Sequence, residues 1–125
     1  MSDSIIETES ISHYYGQRRA LNEVSLSVAR GECYALLGPN GGGKTTLFKI
    51  LSTSLLPSSG NAKILGFDCE KEHFSIRSRI GVVFQNASLD KRLKVRENLE
   101  HQAHLYGLNG SDLNKRVDEL LGRLG

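Results

Sequence analysis

Polar and apolar positions alternate near the start of the chain. They stop alternating in the middle and fall into helical spacing near the end. Ile5, Ile6, Ile11 and Tyr14 mark an early β-rich segment, and Val24, Leu26 and Val28 face one way with Ser25 and Ser27 facing the other. "CYALL", residues 33–37, is an almost unbroken apolar run, the pattern of a strand buried on both faces. A glycine-rich loop follows, and Leu47, Ile50 and Leu51 then recur at the spacing of a helix beginning at about Gly43. "LLPSSG" predicts a turn, "NAKIL" a short strand, "HFSIRSRI" a short helix and "IGVVF" a second strand of buried type. From Val95 the pattern is helical until Gly107 and Gly110 interrupt it. Ser111 is placed to cap a last helix whose stripe is Leu113, Val117, Leu120, Leu121 and Leu124. The order implies an α/β fold around a strand–loop–helix unit. Two buried-type strands are few for an open parallel sheet, so either the sheet is small or the chain stops before the fold does.

Composition changes this picture little. The chain has 125 residues, enough for one domain at most, with 38% hydrophobic and 24% charged residues. A net charge of +2 gives no argument for nucleic acid or an anionic membrane surface. No apolar run is long enough to span a bilayer, and "MSDSIIETES" lacks the basic and apolar regions of a signal peptide. Cys33 and Cys69 have no partners at metal-ligand spacing. Cys33 reads as a small buried hydrophobe, and a reducing compartment suits both.

The candidate chemistry lies in the loop. Gly38, Pro39, Asn40, Gly41, Gly42, Gly43, Lys44 and Thr45 match the pattern G-x-x-x-x-G-K-[ST]. Residues without a Cβ let backbone N–H groups converge on a phosphate, and the helix that follows adds the positive end of its dipole. Lys44 offers a cation for the β- and γ-phosphates, Thr45 a hydroxyl for Mg²⁺, and Thr46 a hydroxyl for a neighbouring phosphate oxygen. A merely flexible surface loop would not sit between two apolar runs. The loop therefore points to a nucleoside triphosphate with Mg²⁺, and not yet to a reaction. Hydrolysis in this class also needs a strand-end acid. Asp68, after "ILGF", is the one candidate, and it reads better as a turn residue.

Residues 15–51, with "GPNGGGKTT" at their centre, resemble the start of an ABC-transporter nucleotide-binding domain. "LLPSSGNAKILGFD" is similar to the next stretch of that family, and "RIGVVFQNASLDKRLKVRENL" to its Q-loop region. "VVFQNASLDKRLKVRENLEHQAHLYGL", residues 82–108, looks most like the exporter branch that includes daunorubicin-resistance-type and polysaccharide- or drug-export ATPases. The resemblance implies an α/β P-loop NTPase core with an N-terminal antiparallel β-subdomain (residues 1–94 with the Q-loop) and the start of a helical subdomain (95–125). It implies that Tyr15 stacks on adenine and that Gln85 reaches Mg²⁺ or the attacking water, so that Lys44 and Gln85 are the catalytic candidates. It also implies ATP and Mg²⁺ as ligands, a membrane-spanning permease as partner, a second ATP-binding domain clamped head to tail, and a place on the cytoplasmic face of the membrane. No nucleic acid is expected.

The family's signature loop, its strand ending in Asp-Glu, its D-loop and its switch histidine have no counterpart here. The expectation is therefore the N-terminal half of a domain, able to hold phosphates and unable alone to cleave them. A soluble ABC protein acting on ribosomes or DNA, or a P-loop kinase or GTPase, are the alternatives.

Weaker signals remain. Glu97, Glu100, His101 and His104 share helical spacings that a metal could use, though a solvated face explains them equally. "KRLKVR", residues 91–96, carries four positive charges and reads as a solvated face or a contact with the membrane subunit. His13 and His73 have no partner visible in the sequence.

Overall fold

The computed structural model describes residues 3–86 and 88–125. The chain divides into two compact units, one up to Val82 and one from Val83 to Gly125.

The first unit is built on two long strands, β1 (Ser4–Tyr15) and β2 (Arg18–Ala29), joined by a two-residue turn in which Gly16 takes φ +61°. Their antiparallel register runs from Tyr15 opposite Arg18 to Ser4 opposite Ala29, with several irregularities. Hydroxyl side chains fill the gaps these leave in the ladder. Thr8 Oγ1 donates to the Val24 carbonyl at 3.1 Å and accepts from the Leu26 N–H at 2.9 Å, while Ser12 Oγ accepts from the Glu23 N–H at 2.9 Å. That explains why two polar side chains, Thr8 and Ser12, are buried.

Two further strands, β3 (Ser59–Ile64) and β4 (Phe67–Asp68), complete an antiparallel sheet of order β2-β1-β3-β4. Two helices belong to the same unit, α1 (Lys44–Leu51) and α2 (His73–Arg77). Leu47 and Ile50 of α1 and Ile76 of α2 bury into one cluster with Ile11, Leu21 and Ile64 of the sheet. Each fully buried isoleucine contributes roughly 1.5–3 kcal/mol by leaving water.

The second unit holds α3 (Val95–Leu105) and α4 (Gly110–Leu124). Of the predicted stripe, Leu113 and Val117 are buried, Leu120 and Leu121 half-buried and Leu124 exposed. Arg96 joins the two helices, donating to Asp118 at 2.7 Å and to Glu100 at 3.1 Å. The last helix begins two residues earlier than the capping pattern suggests. Asn109 stands at the N-cap with extended backbone, and Ser111 lies inside the first turn.

The largest departure concerns the two runs of buried type. Residues 33–37 and 80–84 form no strand, although β3 and α2 appear where expected. Leu37 is 93% exposed and Val83 96% exposed, and Cys33 is exposed rather than buried. A parallel strand takes its backbone partners from neighbours distant in sequence. Neither run has such a neighbour among the described residues.

Candidate functional site

Nine residues, Gly38 to Thr46, carry the phosphate-binding pattern, and the first unit holds all of them. Gly43 is the N-cap of α1, at φ +90°. A Cβ at this position would run into the backbone carbonyl of Ala20 and the side chain of Leu21 on β2. Only glycine meets both demands, the left-handed backbone and the close approach. The loop is thereby seated directly against the hairpin. The α1 helix is held beneath it by the buried Leu47 and Ile50, and the Leu47 N–H closes the first turn on the Gly43 carbonyl at 2.9 Å.

Upstream, the loop folds on itself. The Gly42 N–H donates to the Pro39 carbonyl at 3.1 Å. The Lys44 ammonium donates to the Gly38 carbonyl and, at 3.1 Å, to that of Pro39. Lys44 thus spans the loop it belongs to. Gly38, Pro39, Asn40, Gly41 and Gly42 are exposed, Gly43 and Lys44 half-buried, Thr45 exposed and Thr46 buried.

Tyr15 ends β1 and reaches across to this helix. Its hydroxyl lies 3.2 Å from Thr46 Oγ1. The ring is met edge-on by His13 at 4.8 Å between centroids, and the Arg18 guanidinium lies 5.6 Å from its centre. One face position of β1, two residues back, therefore supports the ring from behind, and the cross-strand partner Arg18 flanks it. His13 does have partners after all, Tyr15 and, at 3.5 Å, the Ser58 hydroxyl. The period of two along β1 was the only sequence signal for the first. The approach of Ala20 to Gly43 left none, because both groups are backbone.

The remaining candidates lie elsewhere. Gln85 is exposed and belongs to the second unit. Asp68, expected in a turn, is the last residue of β4, and its side chain caps the turn that follows. Its Oδ1 accepts from the N–H groups of Glu70 and Lys71, and chiefly the latter bond holds its carboxyl below the usual range. Of the basic run, Arg92 pairs with Asp90 at 3.2 Å and lowers that carboxyl, while Arg96 is taken up by Glu100 and Asp118. Glu97 Oε2 accepts from the Lys94 N–H at 2.7 Å, so Glu97 and Glu100 serve the helix itself. His73 Nδ1 lies 3.2 Å from the Glu70 carbonyl.

The donor set bears on Mg²⁺ as well. Among the described residues no three His, Cys, Asp or Glu side chains cluster as a cage. Thr45, next to the loop, offers one exposed neutral oxygen. That matches a cation that keeps most of its shell as phosphate oxygen and water.

Comparison with known proteins adds to this geometry. Residues 21–125 match the family model described as ABC transporter. The chain is 42% identical over 98% of its length to the daunorubicin resistance ATP-binding protein DrrA3 of Streptomyces coeruleorubidus, of which it covers 39%. It is 38% identical over 86% of its length to the ABC transporter ATP-binding protein NatA of Bacillus subtilis (strain 168), covering 44% of it. Among solved structures, a dimeric ATP-binding cassette in a post-hydrolysis state bound to ADP and Pi superimposes with a TM-score of 0.80. The identity is 27%, over 94% of this chain and 56% of that one. The chain thus spans well under half the length of the curated relatives quoted.

Proposed function

The chain belongs to the ABC transporter family, and we propose that it forms the nucleotide-holding part of an exporter's ATP-binding subunit. One observation carries the reading. The glycine loop is seated between the hairpin and the N-terminus of α1, with Lys44 drawn over its mouth and Tyr15 beside it.

In this reading the N–H groups of the loop and the α1 dipole hold the phosphates. Lys44 leaves the Gly38 and Pro39 carbonyls and turns to the β- and γ-phosphates, exchanging neutral acceptors for anionic ones. The Tyr15 ring supports the base. Mg²⁺ would be held by the Thr45 hydroxyl and the Gln85 amide oxygen and would supply charge neutralisation at the phosphates. Gln85 sits at the end of an apolar run, from which it also orients water for hydrolysis. No described helix is long and apolar enough to cross a membrane. In this reading the transported substrate passes through a membrane-spanning permease on whose cytoplasmic side this subunit sits. A second ATP-binding domain faces the loop.

Lys44→Ala in the full-length protein tests this directly. ATP affinity is expected to fall roughly 10- to 100-fold, the worth of a charge-assisted hydrogen bond to phosphate, with the circular dichroism spectrum unchanged. Calorimetry showing equal ATP affinity for both proteins would sink the proposal.

A further inference from the structure

Tyr15 carries two chemically separate groups, and the reading above uses only its ring. Its hydroxyl meets Thr46 Oγ1 at 3.2 Å, and Thr46 stands in the first turn of α1, 5% exposed. A phenol is more acidic than an aliphatic alcohol, so in this pair the tyrosine is the better donor and the threonine the better acceptor. Thr46 then accepts from Tyr15 and keeps its own hydrogen. A helical threonine without such a partner tends to turn that hydrogen back onto the carbonyl four residues earlier. The ring is placed by protein groups, His13 in a T-shaped pair with it and Arg18 over it, so the hydroxyl has its position before any base arrives.

We propose that the Tyr15 hydroxyl is a positioning group for phosphate. By donating to Thr46 Oγ1 it fixes the threonine rotamer and directs the remaining Thr46 hydrogen to an oxyanion held in the loop. The inference rests on the nucleotide reading above. It makes Tyr15 serve both ends of the ligand, the ring for the base and the hydroxyl, through Thr46, for the phosphates.

Calorimetry on the full-length protein separates the two, with Mg-ATP as one ligand and Mg-tripolyphosphate, which has no base, as the other. Tyr15→Phe keeps the ring. It is expected to weaken both ligands by roughly three- to ten-fold, the worth of one hydrogen bond. Thr46→Val should lose as much, Thr46→Ser should recover most of what the valine variant loses, and adding Tyr15→Phe to Thr46→Val should cost less than a further two-fold. Thermal unfolding confirms that each variant is folded, and Thr46→Ala replaces the valine variant if that one is not. A loss confined to ATP, no loss, tighter binding by Tyr15→Phe, or additive losses in the double variant would each overturn the inference. If the unmodified protein binds both ligands and Tyr15→Phe matches it, only this inference fails. If the unmodified protein binds neither, the nucleotide reading fails with it.

Discussion

Two regions of this chain share the composition of strands and meet opposite fates. The hairpin β1–β2 alternates apolar and polar positions, and each strand finds its partner a two-residue turn away. Residues 33–37 and 80–84 are more apolar than either hairpin strand, yet form no ladder and leave Leu37 and Val83 almost wholly exposed. Apolarity announces how deeply a strand is to be buried. It does not supply the backbone partner, which for a parallel strand comes from far along a chain. Neither run has a ladder partner among the described residues, and the chain spans 39% of a relative that it matches over 98% of its own length. In a protein of that relative's length the two runs are proposed to become core strands.

The sharpest way to break this comparison is to place a charge on the bare runs. Leu37→Asp or Val83→Asp should change the stability of residues 1–125 by no more than about 0.5 kcal/mol, as at any exposed position. In the full-length protein the same changes should cost about 3–5 kcal/mol, the effect of an unpaired buried charge. Urea unfolding of both forms measures the difference, and equal small costs in the two would end the idea that these runs become core.

A second substitution probes the self-sufficient side. Gly43→Ala sets a Cβ against the Ala20 carbonyl in a left-handed backbone. About 2–4 kcal/mol of destabilisation is expected in either form, seen as a lower urea midpoint. The absence of any shift would show that the loop is not wedged against β2.

The smallest effect distinguishes the two cysteines. Cys33 is exposed in a bare run and Cys69 is buried in the sheet core, where loss of solvation pushes its thiol up to about 11. Iodoacetamide should therefore label Cys33 in the folded chain and Cys69 only on unfolding. A raised thiol means that the folded state holds its proton where the unfolded state has released it. Stability should accordingly fall as pH rises from about 9 towards 11, and Cys69→Ala should flatten that decline. In the full-length protein Cys33 should become protected too.

Much of the site could be read in advance because its signals are local. The helix behind the loop and the turn that follows Asp68 depend on neighbours within a few residues, and both are found. So is the antiparallel sheet that the family resemblance implies. What escaped depends on contacts across the chain. The hydroxyls that patch the hairpin and the pairing of Arg96 with Asp118 join residues whose proximity only the fold creates. The basic run 91–96 shows the point well. Of four charges in sequence, Arg92 and Arg96 are committed to ion pairs, and among the described residues no ion pair takes up Lys91 or Lys94.

The contact between Gly43 and Ala20 limits how modular the phosphate loop can be. Because the two meet backbone to backbone, no side-chain change at position 20 can relieve or replace the fit. A graft of residues 38–46 onto another scaffold would need the strand as well as the helix. Equally, an insertion in the hairpin that shifted Ala20 along β2 would displace the loop, although it touched none of the residues in the glycine motif.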